Sequence, residues 1–543
     1  MTMRQRNAIE RRKFLAGGAG ALGAAFMGNT PFDLLTNYGP PEQSLWDAGS
    51  VRHLLPTVSD SRVLVKASFT QPLSGAPILR VGARDFTGQM NGTDSSFWQF
   101  HATNLDPDRV HDLSLITSSG TALCEPWTLS TFPTPNAQPE SFRVLFFTCA
   151  GGPEGFYTGI GNRRGNLPTA IRNRILRRGL SFNPDVAVAN GDHVYWDLHT
   201  WSGSLTGALS NRAEQSNFDF AASVYGTSNE AALHLAAGPQ IVPVYGTDFR
   251  STPVFFLQDD HDHWENDAAG VFPVPWFQLQ MARATQQLYY PEFLPDPNRP
   301  ANLPWSSVSD RGDLSESFGT IRYGNLAEVL LYDVRRTMSL GPMAVFIDPI
   351  VEEWLLRRTS APGVRHLVHA PSNPMGWSAG KWGEWFPDVL DREAGRLTTS
   401  VEKPFWPEGW LSQHDRLVDA MARTRDRTPL VVSGDLHAIG LGKMLRTGNL
   451  NLEANPVTAV LSGPVGTSPG GFPSAVRGIG SSPPAHLDMD EIAPPREHHG
   501  FTLVDFTPDG ITVRLFGWDV NSQPVDAIDT LDPFHTTELS TPA

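Results

Sequence analysis

Hydrophobic and polar positions fall into two textures along this chain. From about Arg62 to Phe132 the apolar residues come in short runs bounded by turn residues: Arg62-Val-Leu-Val-Lys-Ala-Ser-Phe, Phe97-Trp-Gln-Phe, Asp112-Leu-Ser-Leu-Ile and Trp127-Thr-Leu-Ser. Runs of that length and alternation predict half-buried strands, and a set of them predicts a small all-β sandwich, placed at residues 45–135. Thr131 to Pro139, rich in Pro, Thr, Asn and Gln, reads as a linker. Beyond it the runs become continuously apolar: Val144-Leu-Phe-Phe, Val186-Ala-Val-Ala, Val254-Phe-Phe-Leu, Val329-Leu-Leu-Tyr and Leu430-Val-Val. Strands without a polar face are covered on both sides. Helix-like stretches fall between several of them (168–180, 352–360 and 412–424), so residues 140–525 predict a layered α/β domain. Thr507-Pro-Asp-Gly, between two alternating runs near the end, signals a hairpin and hence a mixed sheet or a second, paired one. Residues 526–543 read as a C-terminal tail.

Composition narrows the possibilities. A chain of 543 residues is long for one domain. The 40% hydrophobic content is globular, and 45 Pro with 49 Gly imply many turns and long loops. A net charge of -15, with no basic run after the first thirteen residues, disfavours nucleic acid as a partner. A small anion can still be held at a locally positive metal site. Two cysteines, Cys124 and Cys149, are too few for a disulfide framework. At the start, Arg11-Arg12-Lys13-Phe14-Leu15 and the Gly/Ala-rich run to Met27 have the form of a twin-arginine export signal over residues 1–30. That run is too short to span a bilayer comfortably, and no later run is long enough. The expectation is a protein exported folded by the twin-arginine machinery, periplasmic or secreted, with no stable membrane anchor.

The candidate chemistry sits where strands end. Val144-Leu-Phe-Phe-Thr runs into Cys149; Val186-Ala-Val-Ala into Asn190-Gly-Asp192-His-Val-Tyr195-Trp-Asp197; Val254-Phe-Phe-Leu into Gln258-Asp259-Asp260-His261-Asp262-His263; Leu430-Val-Val-Ser-Gly into Asp435-Leu-His437. Strand ends of an α/β sheet converge on one crevice. Several carboxylates gathered there repel one another until a cation neutralises them. A thiolate with a phenolate suits a ferric or similar ion; carboxylates suit calcium or magnesium. The mixture points to two unlike metals sharing a bridging carboxylate, a clamp suited to phosphoryl displacement.

Gly191-Asp192-x-x-Tyr195 resembles the bridging-aspartate and iron-tyrosine motif of purple acid phosphatases. Asp260-His261-Asp262 and Gly434-Asp435-Leu436-His437 resemble metallophosphoesterase segments, with Asp in the usual Asn and first His places. With Cys149, Leu331-Tyr-Asp333-Val-Arg335 and Glu353-Trp354-Leu355, the set resembles the alkaline phosphatase D family over roughly residues 50 to 520. The resemblance implies a four-layer metallophosphoesterase-type sandwich flanked by helices, preceded by a small β-sandwich domain. It implies that Cys149, Tyr195 and His437 hold an Fe3+ ion, that Asp192 bridges, and that Asp260 and Asp435 hold Ca2+. It further implies that His261 stands by the leaving oxygen, that Arg335 lies near the phosphate, and that a metal-activated hydroxide attacks a small-molecule phosphate ester. Pairing of Arg335 with Asp333 is the structural alternative. A phosphodiesterase of lipid head groups or cell-wall polymers, or an inactive binding protein of the same fold, are the alternative functions. Cys124 reads as a packed core thiol, and His498-His499 as exposed loop residues. His193, His199, His263 and Asp197 read as groups orienting the ligands or facing water. Phe156, Trp264, Trp377 and Trp410 read as an apolar wall or as loop packing.

Overall fold

The computed structural model describes residues 46–152, 155–159, 162–196, 218–263, 276–294, 318–341, 343–467 and 469–540. Residues 51–130 form two four-stranded antiparallel sheets, the expected N-terminal sandwich. The linker is not a free tether. Phe132 is buried in a core shared with the next domain, and the amide of Asn325 donates to the carbonyl of Ala137 at 2.9 Å.

Two sheets build the larger domain. In the first, Val254–Leu257, Val186–Asn190 and Phe142–Phe147 run parallel; His499–Thr507, Gly510–Trp518 and His535–Ser540 continue it antiparallel. In the second, Ala327–Tyr332, His366–Pro371, Leu430–Ser433 and Val457–Ser462 run parallel between antiparallel edges. Alternation along the strands decides the layers. Val144, Phe146, Val186 and Val188 face Val329, Leu331, Val368 and Val432 in one core between the sheets. Leu145, Phe147, Ala187 and Ala189 point the other way, onto the helices Thr169–Leu180 and Ser228–Tyr245. Leu330, Tyr332 and Val431 likewise meet the helices Pro349–Ser360 and Glu408–Arg423. The result is helix, sheet, sheet, helix, as the resemblance implied.

The helices follow their local signals. Pro349–Ser360 starts on Asp348, whose carboxylate accepts from the amide of Ile350 at 2.8 Å, with Pro at the first helical position. Glu408–Arg423 buries Trp410, Gln413, His414, Leu417, Val418 and Met421, a helical stripe. Within the expected C-terminal tail, His535–Ser540 pairs with Gly510–Trp518 as the edge strand of the first sheet. Its polar pattern hid it: only Leu539 turns fully inward.

Candidate metal centre

Every candidate ligand follows the C-terminal end of a parallel strand, so both sheets deliver their polar residues to one rim. Loops from the two sheets are laced together there. The amide of Cys149 donates to the carbonyl of Gly191 at 3.1 Å, and that of Gly466 to Cys149 at 2.8 Å. Two glycines make room. A Cβ on Gly434 would lie 2.2 Å from the carbonyl oxygen of Asn190, and Gly191, at φ +91°, has Asp259 against the place of its missing Cβ. Cys149, Asp192, Asp435 and His437 themselves adopt left-handed backbone, with φ of 51°, 62°, 69° and 48°. Such conformations in non-glycine residues cost about 1 kcal/mol or more each and gather at functional sites.

Ligand atoms of Cys149, Asp192 and His437 lie within 4.8 Å of one another, as do those of Asp192, Asp260 and His261, and of Asp259, Asp260 and Asp435. Asp192 belongs to the first two groups and Asp260 to the last two, so the three form one continuous centre. Cys149 Sγ lies 3.2 Å from Asp192 Oδ2. His437 donates Nδ1–H to the carbonyl of Gly471 at 2.8 Å, which leaves the Nε2 lone pair as its ligand atom. Burial lowers the pKa of that ring to about 3, so it stays neutral. Burial and then the Asp192 carboxylate push the Cys149 thiol well above its ordinary value. Tyr195, raised by burial, Cys149 and Asp192, is a phenol without a compensating cation. Asp192 rises with burial and the charge of Asp260. In the other half, burial opposes ionisation of Asp260, but Lys381, His261 and Arg335 hold its pKa below the usual carboxylate range.

Asp192 Oδ1, His437 Nε2 and Asp259 Oδ2 are buried atoms with no hydrogen-bond partner. Proteins seldom leave such atoms unpaired, and here they crowd one spot. A thiol, a phenol, an imidazole and a bridging carboxylate suit a ferric-type ion, and the aspartates beside them suit a hard dication. The residues present fit both groups.

No family model matches the chain, and no curated protein does. Solved structures do. The chain superimposes on a structure of PhoD with a TM-score of 0.54 at 14% identity, covering 92% of this chain and 90% of that one. The chain has the PhoD fold. A purple acid phosphatase, PPD1 from yellow lupin (Lupinus luteus) seeds, matches with a TM-score of 0.52 at 13% identity, over 91% of this chain and 74% of that one.

Within this PhoD fold the structure brings Cys149, Asp192, Asp260, His261, Asp435 and His437 together, with the Tyr195 ring tilted at 33° against His261, 4.0 Å between ring centroids. Asp259 and Asp260 both enter the carboxylate group. Asp333 binds Arg336 Nε at 3.1 Å, and Arg335 meets the aspartates of the centre. Its guanidinium is fully buried, 3.1 Å from Asp259 Oδ1 and 3.6 Å from Asp435 Oδ2. Asp262 is no ligand: its carboxylate accepts from the amides of Asp192, His193, Val194 and Asp259 at 2.8 to 3.0 Å. His193 bonds the carbonyl of Leu257 at 2.7 Å and the hydroxyl of Tyr245 at 3.2 Å, away from the centre. His499 is buried against Phe472 and Trp518 rather than exposed. Trp377 and Trp410 pack the second helical layer, and Cys124 is a buried free thiol of the sandwich. Asp197, His199, Trp264 and the twin-arginine segment lie outside the described residues, as does the side chain of Phe156.

Sequence reasoning missed three contributors. Asn373 follows the strand His366–Pro371 and donates Nδ2–H to Asp435 Oδ2 at 3.2 Å. A polar residue after an apolar strand was its available signal. Arg172, from the helix Thr169–Leu180, donates to the carbonyls of Ala150, Gly151 and Gly152 and so braces the Cys149 loop. Lys381 reaches Asp435 and Asp260 from a long loop with no strand to announce it.

Proposed function

We propose that the chain is an exported metal-dependent phosphoesterase acting on small phosphate esters. The observation that carries this reading is the continuous centre of Cys149, Asp192, His437, Asp260 and Asp435 joined through shared carboxylates. The likeness of the fold to PhoD and to a purple acid phosphatase supports it. Fe3+ would be held by Cys149, Asp192, Tyr195 and His437, and Ca2+ by Asp192, Asp260 and Asp435. Bound there, the two ions would supply Lewis acidity and an acidified water as nucleophile. The chain supplies the remainder. His261, beside Asp192 and Asp260, donates a proton to the departing oxygen. Arg335 orients Asp259 and Asp435 and adds positive charge beside the phosphoryl group. Burial of the donors excludes bulk water, which strengthens each of these interactions.

The deciding experiment is metal analysis of the purified protein with hydrolysis assays on an aryl phosphate monoester and the corresponding diester. The expected result is iron with a second divalent ion, turnover of at least one ester, and loss of turnover on chelation. In Asp192→Asn both iron and turnover should disappear. A folded, metal-free wild-type protein inactive on both esters would overturn the reading. The ratio of the two rates separates a monoesterase from a diesterase.

Export is part of the proposal. The Arg11-Arg12 pattern supports it, and no helix among the described residues is long and apolar enough to cross a membrane. Replacing both arginines with lysine should shift the protein from the exported to the cytoplasmic fraction; unchanged fractionation would rule out this route.

A further inference from the structure

Lys381 stands where a second metal ion would meet its carboxylates. Its Nζ is ion-paired with Asp435 Oδ1 and lies 3.6 Å from Asp260 Oδ2. The placement is built, not incidental. Glu384, 1% exposed, accepts from the amides of Ala379 at 3.0 Å and Lys381 at 3.1 Å, and from the hydroxyl of Ser378. Between them Gly380, at φ +69°, turns the chain so closely that a Cβ would lie 2.9 Å from the amide nitrogen of Leu390. Arg477 Nη1 ties the carbonyl of Gly380 from outside at 3.0 Å. A buried carboxylate that organises a loop around one lysine fixes where that lysine points.

The two cations of this half differ in how they can yield. Arg335 is fully buried, with a rigid guanidinium spread over Asp259, Asp260 and Asp435. Lys381 carries a compact charge on a flexible stem whose side chain is 14% exposed, so it has a way out. Asp260 Oδ2, 3.6 Å from the ammonium, and Asp259 Oδ2, with no hydrogen bond, still lack a full complement of partners. A dication arriving there must displace the ammonium from the same oxygens, and its binding is weakened by whatever the ammonium already contributes.

We propose that Lys381 is a tethered cation competing with the second metal ion for Asp260 and Asp435, so that this half binds its metal weakly while the Cys149–His437 half retains its own. The inference rests on the two-metal reading above and adds to it a control by the concentration of free divalent ion. Arg335 cannot serve this purpose, having no exposed path.

The test is calorimetric titration of Ca2+ into the full-length protein carrying its tight metal, in wild type and Lys381→Met, with equilibrium dialysis as a second measure. Removing the ammonium should tighten Ca2+ binding by about tenfold or more, the scale of one unit charge at this range. Lys381→Arg should stay weak, and Asp435→Asn added to Lys381→Met should abolish the gain and so locate it. Lys381→Gln gives a second charge removal if the methionine variant folds poorly. Equal or weaker Ca2+ binding in both neutral variants, or none at all, overturns the proposal. A failure of the phosphoesterase reading is distinguishable: Ca2+ affinity would rise as expected while neither ester is turned over at saturating Ca2+.

Discussion

Asp262 touches no candidate metal, yet two of the ligand loops depend on it. Its two oxygens take four amide hydrogens, from Asp192, His193, Val194 and Asp259. Asp262→Ala leaves those donors buried and unsatisfied. The expected cost is about 3 kcal/mol of stability and about 10- to 100-fold in metal affinity. Denaturant titration and metal analysis check both, and a variant of full stability that keeps its iron contradicts the positioning role. At this scale the sequence was legible wherever a ligand followed an apolar strand, as at Cys149, Asp192, Asp260 and Asp435. It was not legible at Lys381, whose place depends on Glu384, Gly380 and Arg477 from a loop and a distant segment. Nor could spacing reveal that Asp262 points inward to amides while Asp260 points to the carboxylate group.

Elements were readable in proportion to the regularity of their patterns. The hairpin over Thr507-Pro-Asp-Gly formed as its turn residues indicate, with Thr507 opposite Gly510. The helix Ser228–Tyr245 escaped notice because Gly238, Pro239 and Pro243 interrupt it. Burial outweighs those breakers: twelve of its residues are buried, and Gln240 Oε1 accepts from the amides of Gly152 and Tyr195, at 3.0 and 2.9 Å. Tertiary packing thus overrode local propensity in the very helix that steadies two ligand loops. The edge strand His535–Ser540 was missed for the opposite reason, its polar alternation resembling a tail. Truncation after Asp532 should uncover the ladder of Gly510–Trp518. The expected outcome is a lower melting temperature and concentration-dependent association, read by light scattering; a monomer of unchanged stability would show the strand to be dispensable.

Across the described residues the sandwich and the layered domain share a core and a buried ion pair. Lys66 Nζ of the sandwich lies 2.9 Å from Glu292 Oε2 and donates to the carbonyl of Gln287 at 2.8 Å, after the helix Trp276–Tyr289 has been threaded against it. Acid should attack this body through its buried histidines. Burial lowers the pKa of His369 to about 3, from an ordinary value of 6.5. The unfolded ring therefore binds a proton first. Its contribution to stability is intact above pH 6.5 and is lost as pH falls toward 3, by about 1.4 kcal/mol per unit. His499, lowered by burial to about 4, works in the same direction. Unfolding free energy should fall measurably between pH 7 and pH 5, and a flat profile in denaturant titrations would contradict the buried, neutral state of these rings.

The left-handed backbone at Cys149, Asp192, Asp435 and His437 carries a consequence for how this chain can change over generations. Glycine is the residue each of those four positions would accept with least strain, and β-branched residues are the ones each would accept with most. Drift toward comfort of the main chain therefore runs toward erasing the donors. Selection acting on the fold alone would not preserve them. Four metal-donor side chains on left-handed backbone at one rim are more than the fold by itself calls for.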